Sequence, residues 1–120
     1  MTANARRPVF TKQATLTRSQ TTATKLFDLP ANCHVTQILV ISSAASTGAT
    51  ITLGTSGTAA YYVNGQSIAS AGVNRPATTG NEYTATTGRQ GVYGSIGGSP
   101  SSGGPFKVVF MCTSKLRGAG

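Results

Sequence analysis

The stretch ITLGTSGTAAYYVNG, residues Ile51–Gly65, has two readings that lead to different proteins. Its glycines could form a loop that cradles a phosphate, or the whole could be a strand, a tight connection and a second strand. A phosphate loop needs the pattern G-x-x-x-x-G-K-[ST] and then a helix whose N-terminus faces the anion. Here no lysine follows Gly54 and Gly57, the dinucleotide pattern G-x-G-x-x-G is missing, and Tyr61-Tyr62-Val63 reads as strand. Upstream, Ala49, Ile51 and Leu53 alternate with Thr50 and Thr52, the period of two of a strand with one buried face. GTSGT is therefore a turn between strands, with Ser56 and Thr58 able to hydrogen-bond the backbone.

Working outward, the same grammar recurs. Leu26, Phe27 and Leu29 form a short apolar strand that Pro30 and Asn32 end in a turn. HVTQILVISS follows, the most hydrophobic tract of the chain, rich in β-branched residues and short for a helix; it reads as a central strand. AAYYV and QSIAS continue as short strands or extended segments, and EYTAT and GVYGSI are further strand candidates. SIGGSPSSGG reads as a flexible hairpin tip or surface loop. The last strand, PFKVVFMCTSKL, puts Phe106, Val108, Phe110 and Cys112 on one face. No segment keeps helical periodicity over three turns. The expected fold is all-β, an antiparallel β-sandwich or jelly-roll-like barrel.

Composition sets the remaining bounds. The 120 residues make one domain, and a hydrophobic share of 38% allows a single modest core that contacts between subunits would help stabilise. Residues 1–23 carry Arg6, Arg7, Lys12 and Arg18 with no acidic residue and few apolar ones, so they read as an extended basic arm preceding a sandwich domain at 24–120. Ten Lys and Arg face two acidic residues, Asp28 and Glu82, for a net charge of +8. That imbalance favours an acidic protein surface, nucleic acid or an acidic membrane as partner. No apolar core segment follows the N-terminal arginines and no run approaches the ~18 apolar residues of a spanning helix, so a soluble protein made in the cytosol, without a membrane partner, is expected.

Catalytic chemistry lacks its ingredients. Paired carboxylates, or a His with a carboxylate, must converge, and only Asp28, Glu82 and His34 exist. Asp28 and His34 flank one turn, but a lone His beside a strand is more often structural. Cys33 and His34 are adjacent, so on a strand they point to opposite faces, and with Cys112 they give no metal-ligand spacing. The two cysteines read as reduced, buried small hydrophobes, with a disulfide left open. Tyr61, Tyr62, Tyr83 and Tyr93 read as sheet packing ahead of a base-stacking platform. The expectation is no enzyme, no cofactor and no metal.

The segment LFDLPANCHVTQILVISSAASTGATITLGTSGTAAYYVNG, residues 26–65, resembles a pattern in small structural proteins of tailed bacteriophages. There a strand ending in LP and a small turn precede an apolar strand, a Ser/Thr/Ala/Gly connection, and a strand closing in LGTS with an aromatic pair. The resemblance implies a β-sandwich or jelly roll serving as a capsid decoration, or cement, protein: a homotrimer on the outer surface of the virion, bound to the major capsid protein and stabilising the head. The basic arm, with Arg6, Arg7, Lys12 and Arg18, is then the expected capsid-binding element. The alternatives are a nucleic-acid-binding or basic coat protein, and a fibre, adaptor or carbohydrate-binding component using Tyr61, Tyr62 or Tyr83.

Overall fold

The alternation of Phe106, Val108, Phe110 and Cys112 dictates a strand with one dry face, and that strand becomes the centre of the fold. The computed structural model describes residues 9–81 and 86–114. Its strands are β1 (Val9–Leu16), β2 (Thr24–Leu29), β3 (Cys33–Ser42), β4 (Thr50–Gly54), β5 (Val63–Ser67), β6 (Gly72–Asn74), β7 (Gln90–Gly97) and β8 (Phe106–Ser114). They form two four-stranded antiparallel sheets, in the orders β1-β8-β3-β6 and β2-β7-β4-β5. The protein is an all-β sandwich, as the sequence leads one to expect.

The topology has a simple generator. The pairs β1–β8, β2–β7, β3–β6 and β4–β5 are those of one long antiparallel hairpin, β1 to β4 out and β5 to β8 back. Rolling that hairpin brings β8 also against β3, and β7 also against β4. Every connection therefore crosses between the sheets except β4–β5, which stays within one. Ile51–Gly65 is the apex of the long hairpin.

Local geometry at that apex follows from its residues. The Tyr62 amide donates to Leu53 O (2.9 Å) and closes the connection, while Thr55 and Thr58 bond each other through Thr55 N–H to Thr58 O (2.9 Å) and Thr58 N–H to Thr55 Oγ1 (3.1 Å). A side chain on Gly54 would collide with the carbonyl oxygens of Thr58 and Ala59, so only glycine lets the connection fold back over the end of β4. Tyr61 and Tyr62, expected on a strand, instead lie in this connection, with β5 beginning at Val63.

All four alternating residues of β8 are fully buried, together with Leu16, Leu29, Val40, Ile51, Leu53, Val63, Ile68 and Val92. Burial on β3 changes phase: Cys33 and Val35 point inward, Thr36 and Gln37 are both exposed, then Ile38, Val40 and Ser42 point inward. A bulge between Val35 and Gln37 in the pairing with β8 inserts the extra residue. Edge-to-face aromatic contacts join Phe110 to Phe27 (5.1 Å) and to Tyr62 (5.4 Å), and Tyr62 to Tyr61 (5.0 Å).

Three outcomes depart from the sequence pattern or add to it. Residues 9–16, which fall in the segment read as an arm, form edge strand β1, paired along its length with β8 and ending in buried Leu16. Strand β6 has no signature in the sequence. In SIGGSPSSGGP, residues 95–97 close β7 and residues 98–105 form a surface loop that is not a hairpin tip, because β7 and β8 belong to different sheets. The loop is tied down: Ser46 Oγ donates to Ser102 O (2.5 Å) and Arg18 Nη1 to Ser101 O (2.9 Å), and Pro100 is buried. EYTAT falls largely outside the described residues.

Candidate functional site

Of the basic residues singled out from the sequence, Arg6 and Arg7 lie outside the described residues, and Lys12 and Arg18 do not come together. Arg18 sits beyond the end of β1 at Leu16, beside the β7–β8 loop, exposed and bonded to Ser101 O. Lys12 lies on the inward-facing side of edge strand β1, in phase with Phe10, Ala14 and Leu16, and is half-buried. An inward-pointing charge on an edge strand discourages pairing with another chain.

Lys12 opens into a surface cleft of ≈ 410 Å³ that it lines with Asp28, Pro30, Ala31 and Arg89. The cleft lies at one end of the sandwich, where Leu29 pairs with Gln90, Cys33 with Ser114 and Val9 with Thr113. Its floor is the β2–β3 turn, in which Asn32 takes a left-handed φ of 59°. Thr86 fixes that turn: it accepts from Asn32 N–H (2.7 Å), donates to Cys33 O (3.1 Å), and its hydroxyl donates to Pro30 O (2.6 Å).

Asp28 is held by two cations, Lys25 Nζ to Oδ1 at 3.0 Å and Arg89 Nε to Oδ2 at 3.6 Å. Lys25 and Asp28 are three apart on a strand, a spacing that would put them on opposite faces. The register shift between Lys25 and Phe27 adds one residue and turns both outward together. Lys25 and Arg89 were invisible as site residues in the sequence for that reason: their meeting depends on a bulge and on a crossover. With Lys12, the cluster carries three cations against one carboxylate among the described residues. Asp28 is thus committed to cations.

Tyr61 and Tyr62 are packing residues. Tyr62 is buried in the core and Tyr61 and Tyr93 are half-buried, while Tyr83 lies outside the described residues. Burial, reinforced by Tyr61, Cys33 and Cys112 nearby, pushes the Tyr62 phenol up to about 12. Cys33 and Cys112 are free thiols, fully buried and diagonal to each other across β3 and β8, since Cys33 pairs with Ser114 and Val35 with Cys112. Burial pushes Cys112 up to about 12, Cys33 adding to the effect and Lys12 opposing it. Cys33 is raised by burial, offset in part by its Thr86 hydrogen bond and by Lys12. Both thiols are held in the unreactive protonated form. Cys33 and half-buried His34 do face opposite ways. Among the described residues no three His, Cys, Asp or Glu side chains converge, and no helix is long and apolar enough to cross a membrane.

The sequence matches no family model and no curated protein. The fold, in contrast, is shared with chains of phage shells. A chain of the cyanophage Pam1 capsid asymmetric unit superposes with a TM-score of 0.69 at 19% identity, over 91% of this chain and 86% of that one. A chain of the Ralstonia phage GP4 capsid gives 0.65 at 14% identity, over 93% and 86%. A chain of the acid-stable capsid of Helicobacter pylori bacteriophage KHP30 gives 0.62 at 13% identity, over 89% and 87%. Almost the whole of each chain is covered, so the likeness is one of complete domains. At these identities it establishes the fold.

Proposed function

We propose that this chain is a non-enzymatic structural protein of a bacteriophage virion, of the decoration or cement type, seated on the outer capsid surface as a homotrimer against the major capsid protein. The observation that carries the virion role is the whole-domain likeness to chains from three phage capsids at TM-scores of 0.62 to 0.69. The strand orders β1-β8-β3-β6 and β2-β7-β4-β5, generated by rolling one long hairpin, support a jelly roll, an architecture recurrent in viral capsid domains. A net charge of +8 suits attachment to an acidic shell. The outer face of the first sheet favours an oligomer: Leu39, Ile41, Val109 and Met111 are only half-buried there and Val73 is 47% exposed.

On this reading Arg6, Arg7, Lys12 and Arg18 contribute to capsid binding. The structure dictates where a truncation must stop. Removing residues 1–20 takes away β1 and buried Leu16, whereas removing residues 1–8 leaves every described strand intact. The test is co-sedimentation of purified protein with capsids that lack it. The full chain is expected to pellet with the shell, with the trimer seen by light scattering, and the chain lacking residues 1–8 to pellet less while keeping its β-sheet circular dichroism. A full chain that stays in the supernatant overturns the decoration role.

A further inference from the structure

We propose that the cleft between β1 and the β2–β3 turn is a binding site for a carboxylate on an acidic peptide segment of a neighbouring protein, gripped between the Lys12 ammonium and the Arg89 guanidinium. The inference deepens the decoration reading and rests on it for the partner's location, although the site itself is argued from this chain alone.

Charge comes first. Lys25 and Arg89 pair with the carboxylate of Asp28, and Lys12 lines the same cleft, three cations to one acidic side chain among the described residues. Lys25 satisfies Asp28 at 3.0 Å, while Arg89 reaches it only through Nε at 3.6 Å. A guanidinium has five N–H donors, so its terminal nitrogens remain for a second carboxylate, which they bind in a bidentate manner. Lys12 makes no ion pair with any described residue. Among the described residues the cluster therefore holds three cations against one carboxylate, with Lys12 outside any ion pair and the terminal nitrogens of Arg89 not used by Asp28.

The second argument is preorganisation. Lys12 is fixed on a strand paired over eight residues, and Pro30 and Ala31 sit on a turn held by Thr86 hydrogen bonds of 2.6 to 3.1 Å. The backbone that carries the site loses little conformational freedom on binding. The third argument is the kind of ligand. The cleft measures ≈ 410 Å³ and its wall is Pro30 and Ala31, apolar surface suited to the methylenes of a Glu side chain. Among the described residues its lining holds no aromatic ring, the platform on which single-stranded nucleic acid stacks its bases.

The test uses the full-length, isotope-labelled protein and a short capped peptide of alternating Glu and Gly, titrated at low ionic strength with backbone amides followed by NMR. Saturable shifts are expected at Lys12, Ala31 and Arg89. Arg89→Gln, a change at a side chain 80% exposed and so harmless to folding, is expected to weaken the peptide about tenfold, the scale of one charge-assisted hydrogen bond, with Arg75→Gln, at an exposed position beyond β6, leaving affinity unchanged. Equal affinity in Arg89→Gln and the parent overturns the site, as does an oligonucleotide that binds the same amides more tightly than the peptide. Co-sedimentation separates the two readings. Peptide binding without capsid binding removes the decoration role and leaves the site standing; capsid binding with a peptide affinity indifferent to Arg89 does the reverse.

Discussion

The two sheets bury their shared interior by opposite means. In the first, β1, β8 and β3 run for eight, nine and ten residues, and the interior is filled by side chains, Phe106, Val108 and Phe110 with Val35, Ile38 and Val40. In the second, the strands are five to eight residues long, and β7 presents Val92, Gly94 and Ile96 inward. A Cβ on Gly94 would lie 2.8 Å from Leu53 Cδ2 and 3.1 Å from both Leu16 Cδ1 and Leu26 Cδ1, so leucines occupy the space that the glycine leaves. One of them, Leu16, belongs to the first sheet. The first sheet thus supplies the largest side chains, Phe106 and Phe110, while the second, which also buries Leu29, Ile51 and Leu53, leaves room at Gly94. They are expected to fail in opposite ways: one by cavities, the other by overpacking.

Phe110→Ala is expected to do the most damage, because Phe110 is fully buried and touches the rings of both Phe27 and Tyr62. A loss of about 3–5 kcal/mol is the usual consequence of such a cavity. That is a large share of the roughly 5–15 kcal/mol of a whole domain, read as the shift in the urea midpoint. Gly54→Ala should come next, at about 1–3 kcal/mol, since its methyl meets backbone oxygens that move only if the β4–β5 connection moves. Gly94→Ala should cost less than Gly54→Ala, because leucine ends can rotate away and a backbone cannot. If Gly94→Ala proves worse than Phe110→Ala, the assignment of volume to one sheet and room to the other is mistaken.

The same contrast governs what the sequence could reveal. Strand β8 was legible because its alternation survives over many residues, β3 because its tract is the most hydrophobic of the chain and rich in β-branched residues, and the apex Ile51–Gly65 because Thr50 and Thr52 mark the solvent face so regularly. Three residues of β6, Gly72–Asn74, offer too short a pattern to detect. Strand β1 alternates weakly, and what makes it a strand is the edge of β8, a partner nearly a hundred positions away. Bulges were the deeper obstacle. The one at Val35/Gln37 inverts the phase of β3, and the one at Lys25/Phe27 brings Lys25 beside Asp28, so the basic cleft is written in pairing register rather than residue spacing.

Alkali should sharpen the comparison at the seam between the sheets. Tyr62 and Cys112 are both pushed from their ordinary values of 10.0 and 9.0 up to about 12, burial being the main cause, and Cys33 moves the same way. These groups are neutral when protonated, and the folded protein holds their protons more tightly than the unfolded chain does. Their stabilising effect is therefore complete below pH 9.0 and is lost as the pH rises toward about 12. The urea midpoint should fall across that window, and Tyr62→Phe should flatten the fall while leaving the midpoint at neutral pH nearly unchanged. A profile equally steep in Tyr62→Phe would remove Tyr62 from the cause.

The smallest effect is expected at the bulged edge of the second sheet. Lys25 and Asp28 are 51% and 30% exposed, and an ion pair so open to water is worth about 0–1 kcal/mol and is screened by salt. Lys25→Ala should shift the urea midpoint barely at all, and less still at high salt. A larger loss would mean that the pair holds the β2 bulge in register, and the edge would then depend on charge as the first sheet depends on its aromatic core. A negligible loss means that register here is set by Phe27 and Leu29, which pack inward on either side of Asp28. The cations at this end are then not needed for folding, and their charge is left for whatever the sandwich binds.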